Sequence, residues 1–286
     1  MKTAVVTGAS GFIGTHLVKI LLKKKMCVTA FCRKNSLNLN RLPKEVSVIF
    51  DWDDFNKFPK PDVFYHLAWD APSGPGRADA ILQSESITAT ITALQNAAPA
   101  KFIALGTVYE RFAEKVINSC EFSTPNFYIL AKHAAHKLSS QLAYKLNCDY
   151  IWSQVCHPIG PFIKPEQLMA YTVSSLLSGN VPSFGSATTI FDIIAVEDVA
   201  YGLYLLGKNK LPRREYYIGS GNPRPLRTYL EETRRILGVD TPLLFDQRPD
   251  DGLVFDESWF DISQLTEDTG FIPRLSFEQV VRRFIV

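Results

Sequence analysis

The sequence has no long apolar run and almost no net charge. Its 286 residues carry 31 Lys and Arg against 29 Asp and Glu, a formal net charge of +2. Because nucleic-acid-binding surfaces usually carry a concentrated basic excess, we do not expect nucleic acid as a partner. No apolar stretch is long enough to cross a bilayer, and glycines interrupt the N-terminal apolar run, which argues against a signal peptide. We therefore expect a cytoplasmic protein without a membrane partner.

Disulfide and metal-binding patterns are also missing. The five cysteines are odd in number and include no Cys-x-x-Cys pair. Cys27, Cys32 and Cys148 sit in or beside apolar runs, where a reduced thiol packs as a small hydrophobe, and this favours a reducing compartment. His133 and His136 are three residues apart on a predicted helix but lack a carboxylate or cysteine partner. We expect no metal site.

What the sequence does contain is a regular alternation of short apolar strands and amphipathic helices in its first half. Apolar strands joined through helices are typical of parallel strands with crossover connections. The pattern predicts an α/β fold with a doubly wound parallel sheet of the Rossmann type. The predicted strands cover residues 3–7, 26–32, 46–50, 62–67, 101–105 and 149–155, and the predicted helices cover residues 12–24, 77–98 and 126–146.

A glycine-rich turn joins the first predicted strand to the first predicted helix. Its glycines permit a tight turn and let backbone N–H groups approach a pyrophosphate, while the helix N-terminus adds favourable partial charge. The last glycine also allows close packing of helix on strand. The turn therefore predicts a dinucleotide site that includes Gly8, Ser10, Gly11, Phe12, Ile13 and Gly14.

The end of the second predicted strand indicates which dinucleotide is bound. NAD-binding chains commonly place an acidic residue there for the ribose 2′-hydroxyl, whereas this chain has Arg33 and Lys34. Two cations suit a 2′-phosphate, so we predict that NADP(H) is preferred over NAD(H). Asp51, after the third strand, is a candidate partner for the adenine amine, and we place the adjacent Trp52 in the same site.

Tyr128 and Lys132 are four residues apart on a predicted helix, so both side chains emerge on one face. A nearby ammonium stabilises a phenolate, which lets the pair exchange a proton with a substrate oxygen. Thr107 follows the fifth strand and is a candidate to hold that oxygen, or else a local cap. The same spacing recurs at Tyr204 and Lys208, which we assign to core packing within an apolar helix.

After Val155, proline and glycine punctuation becomes frequent. We predict a dinucleotide-binding domain over residues 1–156, to which residues 188–208 return. Residues 157–187 and 209–286 are expected to form a smaller C-terminal substrate-binding lobe.

Together these motifs resemble the extended short-chain dehydrogenases/reductases that act on nucleotide sugars. The resemblance is carried by the segments Thr7 to Gly14, His66-Leu67-Ala68, Thr107, Tyr128-x-x-x-Lys132 and Val196-Glu-Asp-Val-Ala200. It implies that Tyr128 is the acid/base, that Lys132 holds the nicotinamide ribose and that Thr107 orients the substrate oxygen. It also implies cofactor contacts from Leu67, Ala68 and Pro158, a nucleotide diphosphate in the C-terminal lobe, and a homodimer built from residues 77–98 and the Tyr128 helix.

Two features depart from that family's patterns, and the role of Trp69 is open. Dehydratases of the family have Thr-Asp-Glu where this chain has Thr107-Val108-Tyr109, so the acidic pair for elimination is missing. His157 stands where many epimerases have an asparagine, and it either contacts substrate or caps a loop. Trp69 either walls the substrate site or packs in the core.

These residues favour an NADPH-dependent reductase that acts on a keto group, at C4, of a nucleotide-activated deoxysugar, with Tyr128 as the proton donor. The alternative is an NAD(P)-dependent nucleotide-sugar 4-epimerase, and a third possibility is a non-catalytic NADP-sensing protein. The sequence does not choose among the candidate pyrophosphate ligands Arg111, Arg224, Arg227 and Arg248.

Overall fold

A seven-stranded parallel sheet forms the centre of the computed structural model, which describes residues 1–284. Its strands are β1 (Thr3–Thr7), β2 (Cys27–Phe31), β3 (Ser47–Ile49), β4 (Val63–His66), β5 (Lys101–Leu105), β6 (Asp149–Gln154) and β10 (Glu215–Tyr217). Two small sheets lie outside it, one formed by β7 (His157–Ile159) and β9 (Ile193–Ala195), the other by β8 (Ile190–Phe191) and β11 (Arg224–Pro225).

Helices connect these strands and cover both faces of the sheet. They are α1 (Phe12–Lys23), α2 (Trp52–Phe55), α3 (Ala80–Ala97), α4 (Ala113–Ile117), α5 (Asn126–Lys145), α6 (Leu168–Leu177), α7 (Val196–Lys208), α8 (Leu226–Leu237), α9 (Ser263–Thr269) and α10 (Phe277–Arg282). Across residues 1–284, none of them has both the length and the apolarity that a bilayer-crossing helix requires.

The strand order in the sheet is β10-β6-β5-β4-β1-β2-β3. β1 lies between β2 and β4, with Thr7 opposite Phe31 on one side and His66 on the other. Because all the strands run in the same direction, their carboxyl ends meet at one edge of the sheet. This edge receives the glycine turn after β1 and the loops after β4 and β5.

Alternate side chains of the strands pack into two separate cores, as the two-residue period of a strand requires. Val6, Tyr65 and Ile103 face α1 and α7. Phe64 and Phe102 face α3 and α5, and their rings stack with centroids 5.4 Å apart. Each face is therefore closed by a pair of helices, which is the doubly wound arrangement that the alternating pattern predicts.

A third core lies beyond the carboxyl edge of the sheet. It joins Tyr109 and Tyr128 to C-terminal aromatic residues that include Phe184, Phe255 and Phe260. This apolar cluster anchors the C-terminal half against the edge where the strands end. It thereby forms one wall of the crevice above the sheet.

The sequence prediction of the α/β fold is confirmed, and β1 and β5 have the predicted bounds. The sequence predicts that residues 188–208 return to the dinucleotide-binding domain, and within them α7 packs against α1. The strand that joins the sheet after it is β10, within the stretch that we expected to belong to the lobe. β10 has only three residues and follows Arg213 and Arg214, so it gives no apolar alternation from which to predict a strand.

Candidate active site

The glycine turn between β1 and α1 is shaped by backbone contacts that leave no room for side chains. Gly8 has φ +66, and a Cβ there would lie 2.9 Å from the Ala68 nitrogen. A Cβ on Gly14 would lie 2.1 Å from the Gly8 carbonyl oxygen. No side chain caps the N-terminus of α1 at Gly11, and its first turn contains no acidic residue. This cradle fits the pyrophosphate of a dinucleotide, and its N–H groups are the donors that would hold it.

Leu67 and Ala68 follow β4 directly against this turn. The Ala68 N–H donates to the Thr7 hydroxyl at 3.3 Å, and that hydroxyl also contacts His66 Nδ1 at 3.0 Å. Burial lowers the pKa of His66 to about 3, with a smaller contribution from the Lys132 charge. The imidazole is therefore neutral, and it fixes the loop that brings both residues to the crevice.

The two cations at the end of β2 are paired with carboxylates across the crevice mouth. The Arg33 guanidinium contacts Asp70 at 2.7 Å, and Lys34 Nζ lies 3.5 Å from Asp51. The side chains of Arg33 and Lys34 are both 75% exposed, which leaves them free to exchange these partners for a bound anion.

The remaining residues of the predicted cofactor set have structural contacts of their own. Asp51 accepts a hydrogen bond from the Asp54 N–H at 2.9 Å and so caps α2. Trp52 packs edge-on against Phe31, with ring centroids 4.7 Å apart. The Ser10 hydroxyl contacts that of Ser36 at 2.9 Å. Asp51 and Trp52 thus lie at the side of the crevice near β2 and β3.

Tyr128, Thr107 and Lys132 come together where β5 ends and α5 begins. Thr107 caps the 3₁₀ turn Val108–Phe112 through its hydroxyl and is itself buried. Burial raises the pKa of Tyr128, while the Arg77 charge and the nearby Thr107 hydroxyl oppose that change. The phenol is 5% exposed, so most of the water that could compete for its proton is excluded.

Lys132 lies one helical turn after Tyr128 and is almost fully buried. Its Nζ donates to the Leu105 carbonyl at 2.8 Å and lies 3.6 Å from the centre of the Trp69 ring. Burial lowers the pKa of Lys132 to about 7, and the Glu110 carboxylate opposes that shift. Near neutral pH the amine therefore exists in both charge states.

Trp69 contacts both members of the Tyr-x-x-x-Lys pair. Its ring also meets the ring of Tyr128 edge-on at 6.3 Å, and its Nε1 donates to Gln83 at 2.9 Å. The side chain is half-buried. The Trp69 ring packs against the core and also lies beside Tyr128 and Lys132. These contacts are compatible with both roles that the sequence leaves open for Trp69, a wall of the substrate site and a core residue.

Arg77 is a site residue that the sequence analysis missed. Its guanidinium carbon lies 4.5 Å from the centre of the Tyr128 ring and 4.9 Å from that of Tyr109. It belongs to the 3₁₀ turn Pro75–Ala78, which precedes α3. The sequence signals a turn here, since Gly74, Pro75 and Gly76 adjoin, but no pattern shows that the turn folds over Tyr128.

Glu110 is the second functional candidate that the sequence did not reveal. It is 3% exposed and accepts hydrogen bonds from Trp152 Nε1, at 2.8 Å, and from Gln154. His136 lies 3.5 Å from the same carboxylate and 3.2 Å from Glu215. Burial disfavours the charged form of His136, but these two carboxylates outweigh it and raise the pKa of the imidazole. A charged network therefore lies beneath Tyr128, Thr107 and Lys132.

His157 and Pro158 lie on β7, next to the third core. His157 Nδ1 contacts the Cys156 thiol at 2.9 Å, and its ring meets Phe191 edge-on at 4.2 Å. Burial, with a smaller contribution from Arg77, lowers the pKa of His157 to about 3. The neutral ring lies 6.2 Å from that of Tyr109, which places it at the edge of the site.

The four arginines left open by the sequence divide into two pairs. Arg111 donates twice to the Gln154 side chain, and Arg224 contacts Glu232 at 2.7 Å. Arg227 packs over the Phe245 ring at 4.0 Å. Arg248 donates to two neutral hydroxyl groups, those of Ser183 and Tyr171. Arg227 and Arg248 are bound less tightly by neighbouring groups than Arg111 and Arg224. The Asp246 carboxylate lies 3.9 Å from Arg227, at the limit of an ion pair.

Comparison with known proteins identifies relatives of similar architecture. A UDP-glucose 4-epimerase from Thermotoga maritima is 20% identical with a TM-score of 0.80, over 99% of this chain and 97% of that chain. A dTDP-glucose 4,6-dehydratase from Bacillus anthracis, in complex with NAD, is 17% identical with a TM-score of 0.79, over 100% of this chain and 96% of that one. At these identities the similarity shows a shared fold.

Sequence comparison gives a shorter match and a longer one. The Escherichia coli dTDP-glucose 4,6-dehydratase is 27% identical over an alignment of 143 positions, and the match covers 44% of this chain and 38% of that protein. The chain thus spans well under half the length of this curated relative. The model of the NAD dependent epimerase/dehydratase family matches residues 4–219. The resemblance noted in the sequence is therefore confirmed, and the chain belongs to the NAD dependent epimerase/dehydratase family of extended short-chain oxidoreductases.

Proposed function

We propose that this enzyme uses NADPH to reduce a keto group at C4 of a nucleotide-activated deoxysugar. The observation that carries the proposal is the grouping of Tyr128, Thr107 and Lys132 at the carboxyl edge of the sheet, next to the glycine cradle. The nicotinamide cofactor, when bound there, supplies the hydride for the carbonyl carbon. Tyr128 gives its proton to the carbonyl oxygen, and the product gains two hydrogens.

Each residue of this group has a role that follows from its contacts. The Thr107 hydroxyl lies within reach of the Tyr128 phenol and can hold the same substrate oxygen. Lys132 is held by the Leu105 carbonyl beneath Trp69, so its amine can stabilise the phenolate that remains after proton transfer. Burial of the phenol excludes competing water from this transfer.

The residues after Thr107 argue against elimination of water as the reaction. Val108 and Tyr109 are buried in the third core, and neither can act as a carboxylic acid or carboxylate base. The next residue, Glu110, binds Trp152 and Gln154 beneath the site. A carboxylate so held is not available to take a proton from the sugar. Reduction needs no such base.

Arg33 and Lys34 support the choice of NADPH. Both are highly exposed at the end of β2, and their present partners are surface carboxylates. A 2′-phosphate would replace Asp70 and Asp51 as the anion that they bind. We expect Arg33→Ala to weaken NADP(H) binding about tenfold and to leave NAD(H) affinity unchanged. Lys60→Ala, at the opposite edge of the sheet, is the matched control, and equal losses for both cofactors in Arg33→Ala would contradict the preference.

For the nucleotide diphosphate, the contacts favour Arg227 and Arg248. Arg227 packs over Phe245, whose ring lies 5.8 Å from that of Phe184. Arg248 donates to Tyr171 at 3.1 Å, and the Tyr171 ring adjoins Phe184 as well. The two guanidinium groups thus border one aromatic patch, which suits a nucleoside with its phosphates. Arg111 and Arg224 already bind partners inside the fold.

A 4-epimerase is the second candidate, because the chain shares its fold with a UDP-glucose 4-epimerase over almost its whole length. Both reactions use the same acid/base, but an epimerase oxidises and then reduces its substrate again without net use of cofactor. Product mass and cofactor consumption therefore separate the two.

The decisive experiment incubates the purified protein with NADPH and a panel of nucleotide-linked 4-keto-6-deoxysugars. We expect loss of NADPH absorbance and a sugar product heavier by two hydrogens. Isomerisation of an ordinary nucleotide sugar at unchanged mass, with no reduction of any keto sugar, would instead establish the epimerase. Tight NADP(H) binding without turnover of any keto sugar or ordinary nucleotide sugar would support a non-catalytic NADP-sensing protein.

A further inference from the structure

Arg77 lies against the Tyr128 phenol, and within residues 1–284 it forms no ion pair with a carboxylate. Its guanidinium carbon is 4.5 Å from the centre of the Tyr128 ring, and its Nε donates to the Pro72 carbonyl at 2.7 Å. Across the part of the chain that the structure describes, no carboxylate oxygen lies within 4.0 Å of its nitrogens. A half-buried cation held in this way remains available to a neighbouring negative charge.

The turn that carries Arg77 is held tightly against the protein. Gly74 has φ +75, and a Cβ on Gly76 would lie 2.4 Å from the Ala71 Cβ. The Gln83 amide, on α3, donates to the Gly76 carbonyl at 3.1 Å and accepts from Trp69. The loop after β4 and the start of α3 therefore fix the backbone at Arg77, and the Pro72 carbonyl fixes its side chain.

The charge of Lys132 alone stabilises the Tyr128 phenolate only in part. Its Nζ already donates to the Leu105 carbonyl and is covered by the Trp69 ring. Because burial brings the pKa of Lys132 to about 7, part of the enzyme holds a neutral amine at neutral pH. An arginine side chain, in contrast, remains charged throughout the physiological range.

We propose that Arg77 is a positioning residue for Tyr128, whose permanent charge stabilises the phenolate formed when the proton leaves for the substrate. The proposal rests on the assignment of Tyr128 as acid/base in the proposed function. The proton moves from Tyr128 Oη to the carbonyl oxygen, and the negative charge left on Oη is shared between Arg77 and Lys132. No further reactant is needed.

Among the ionisable groups around Tyr128, some raise its pKa and others lower it. Lys132 lies on the same helix, whereas Tyr109 meets the phenol ring edge-on from the 3₁₀ turn after β5, and Glu110 lies on that same turn. Glu110 disfavours a second negative charge, and Arg77 opposes this effect. An opposite charge at 4 to 6 Å commonly lowers a pKa by about 1 to 3 pH units, so loss of Arg77 should be measurable on Tyr128 itself.

The test titrates Tyr128 directly, in protein labelled at tyrosine Cζ and saturated with NADP⁺. Comparison with Tyr128→Phe assigns its NMR signal among those of the 11 tyrosines. We expect Arg77→Gln to raise the pKa of Tyr128 by about 1 pH unit, and Arg77→Lys to raise it less, because the charge is kept. An unchanged pKa in Arg77→Gln would overturn the proposal.

The control is Arg274→Gln, which removes a comparable contact far from the site. The Arg274 guanidinium carbon lies 3.3 Å from the centre of the Tyr201 ring, on α7. This variant should leave the pKa of Tyr128 unchanged, and a shift equal to that of Arg77→Gln would also overturn the proposal. The titration needs no sugar, so it tests Arg77 even if no keto sugar is reduced. If reduction is observed, the pH profile of kcat should move to higher pH in Arg77→Gln.

Discussion

Lys132 is a buried amine whose charge is unfavourable in the folded protein. Its pKa of about 7 lies below that of an exposed lysine, so between about pH 7 and pH 10 the unfolded chain binds the extra proton. The free energy of unfolding should therefore rise with pH across this window, by at most about 1.4 kcal/mol per pH unit. Lys132→Met lacks this contribution.

Urea denaturation of the cofactor-free protein at several pH values measures this effect. The stability of the wild type relative to Lys132→Met should increase from pH 7 towards pH 10. A difference between the two proteins that stays constant with pH would show that Lys132 keeps its ordinary pKa in the fold.

Tyr128 has a matched control in the second Tyr-x-x-x-Lys copy of the chain. Tyr204 is buried between α1 and α7 in the first core, where Lys24 lies 5.4 Å from its ring. We expect Tyr128→Phe to lower kcat by about 100-fold or more, because the proton donor is removed, and Tyr204→Phe to leave kcat unchanged. Cofactor binding, followed by NADPH fluorescence, should survive in both variants. Similar losses in the two would remove Tyr128 from its assigned role.

Among individual residues, the sequence predicts those that belong to a motif and misses those that only the fold places near Tyr128. Tyr128 and Lys132 were predictable because helical spacing puts them on one face. Arg77 and Glu110 lie in two separate 3₁₀ turns, where Arg77 packs on the Tyr128 ring and Glu110 binds Trp152 and Gln154. Their contacts depend on long-range packing that no local pattern encodes.

At the scale of elements, the joint between β1 and α1 is the most constrained part of the site. We expect Gly14→Ala to lower the free energy of unfolding by about 3 kcal/mol, because its Cβ would overlap the Gly8 carbonyl. Gly179→Ala is the comparison, since Gly179 has φ +71 and open space, so that backbone strain alone should cost about 1 kcal/mol. Denaturant melts of both variants measure the difference, and equal costs would show that α1 can shift from β1 without penalty.

The elements themselves were largely predictable wherever sharp turn signals bound an apolar run. The β1 strand ends at a glycine turn, and α5 begins after Pro125, so their starts and ends were clear from the sequence. The short strands β8 and β9 were harder, because Asp192 separates them. Its buried carboxylate accepts hydrogen bonds from Tyr217 and Ser220, a role that the sequence does not reveal.

At the scale of the whole molecule, the outer face of α3 and α5 is the expected site of self-association. It exposes Ile81 on α3, at 72%, and Leu138 on α5, at 54%. We expect the protein to be a homodimer in solution and Leu138→Glu to dissociate it, since a charge there would be buried without a partner. Light scattering after size-exclusion chromatography measures the mass. Ile272→Glu, at a residue 67% exposed elsewhere, should remain dimeric, and a monomeric wild type would contradict the expectation.

The position of β10 at the sheet edge limits how the protein can be dissected. A fragment that stopped after β6 would lose β10 and α7, because both follow in the chain. It would then present β6 as an open edge and the apolar side of α1 to water, two features that promote aggregation. The seven-stranded sheet therefore depends on residues that are synthesised after β7, β8 and β9, which lie outside it. On a ribosome, the seven-stranded sheet can be completed only once translation has passed residue 217.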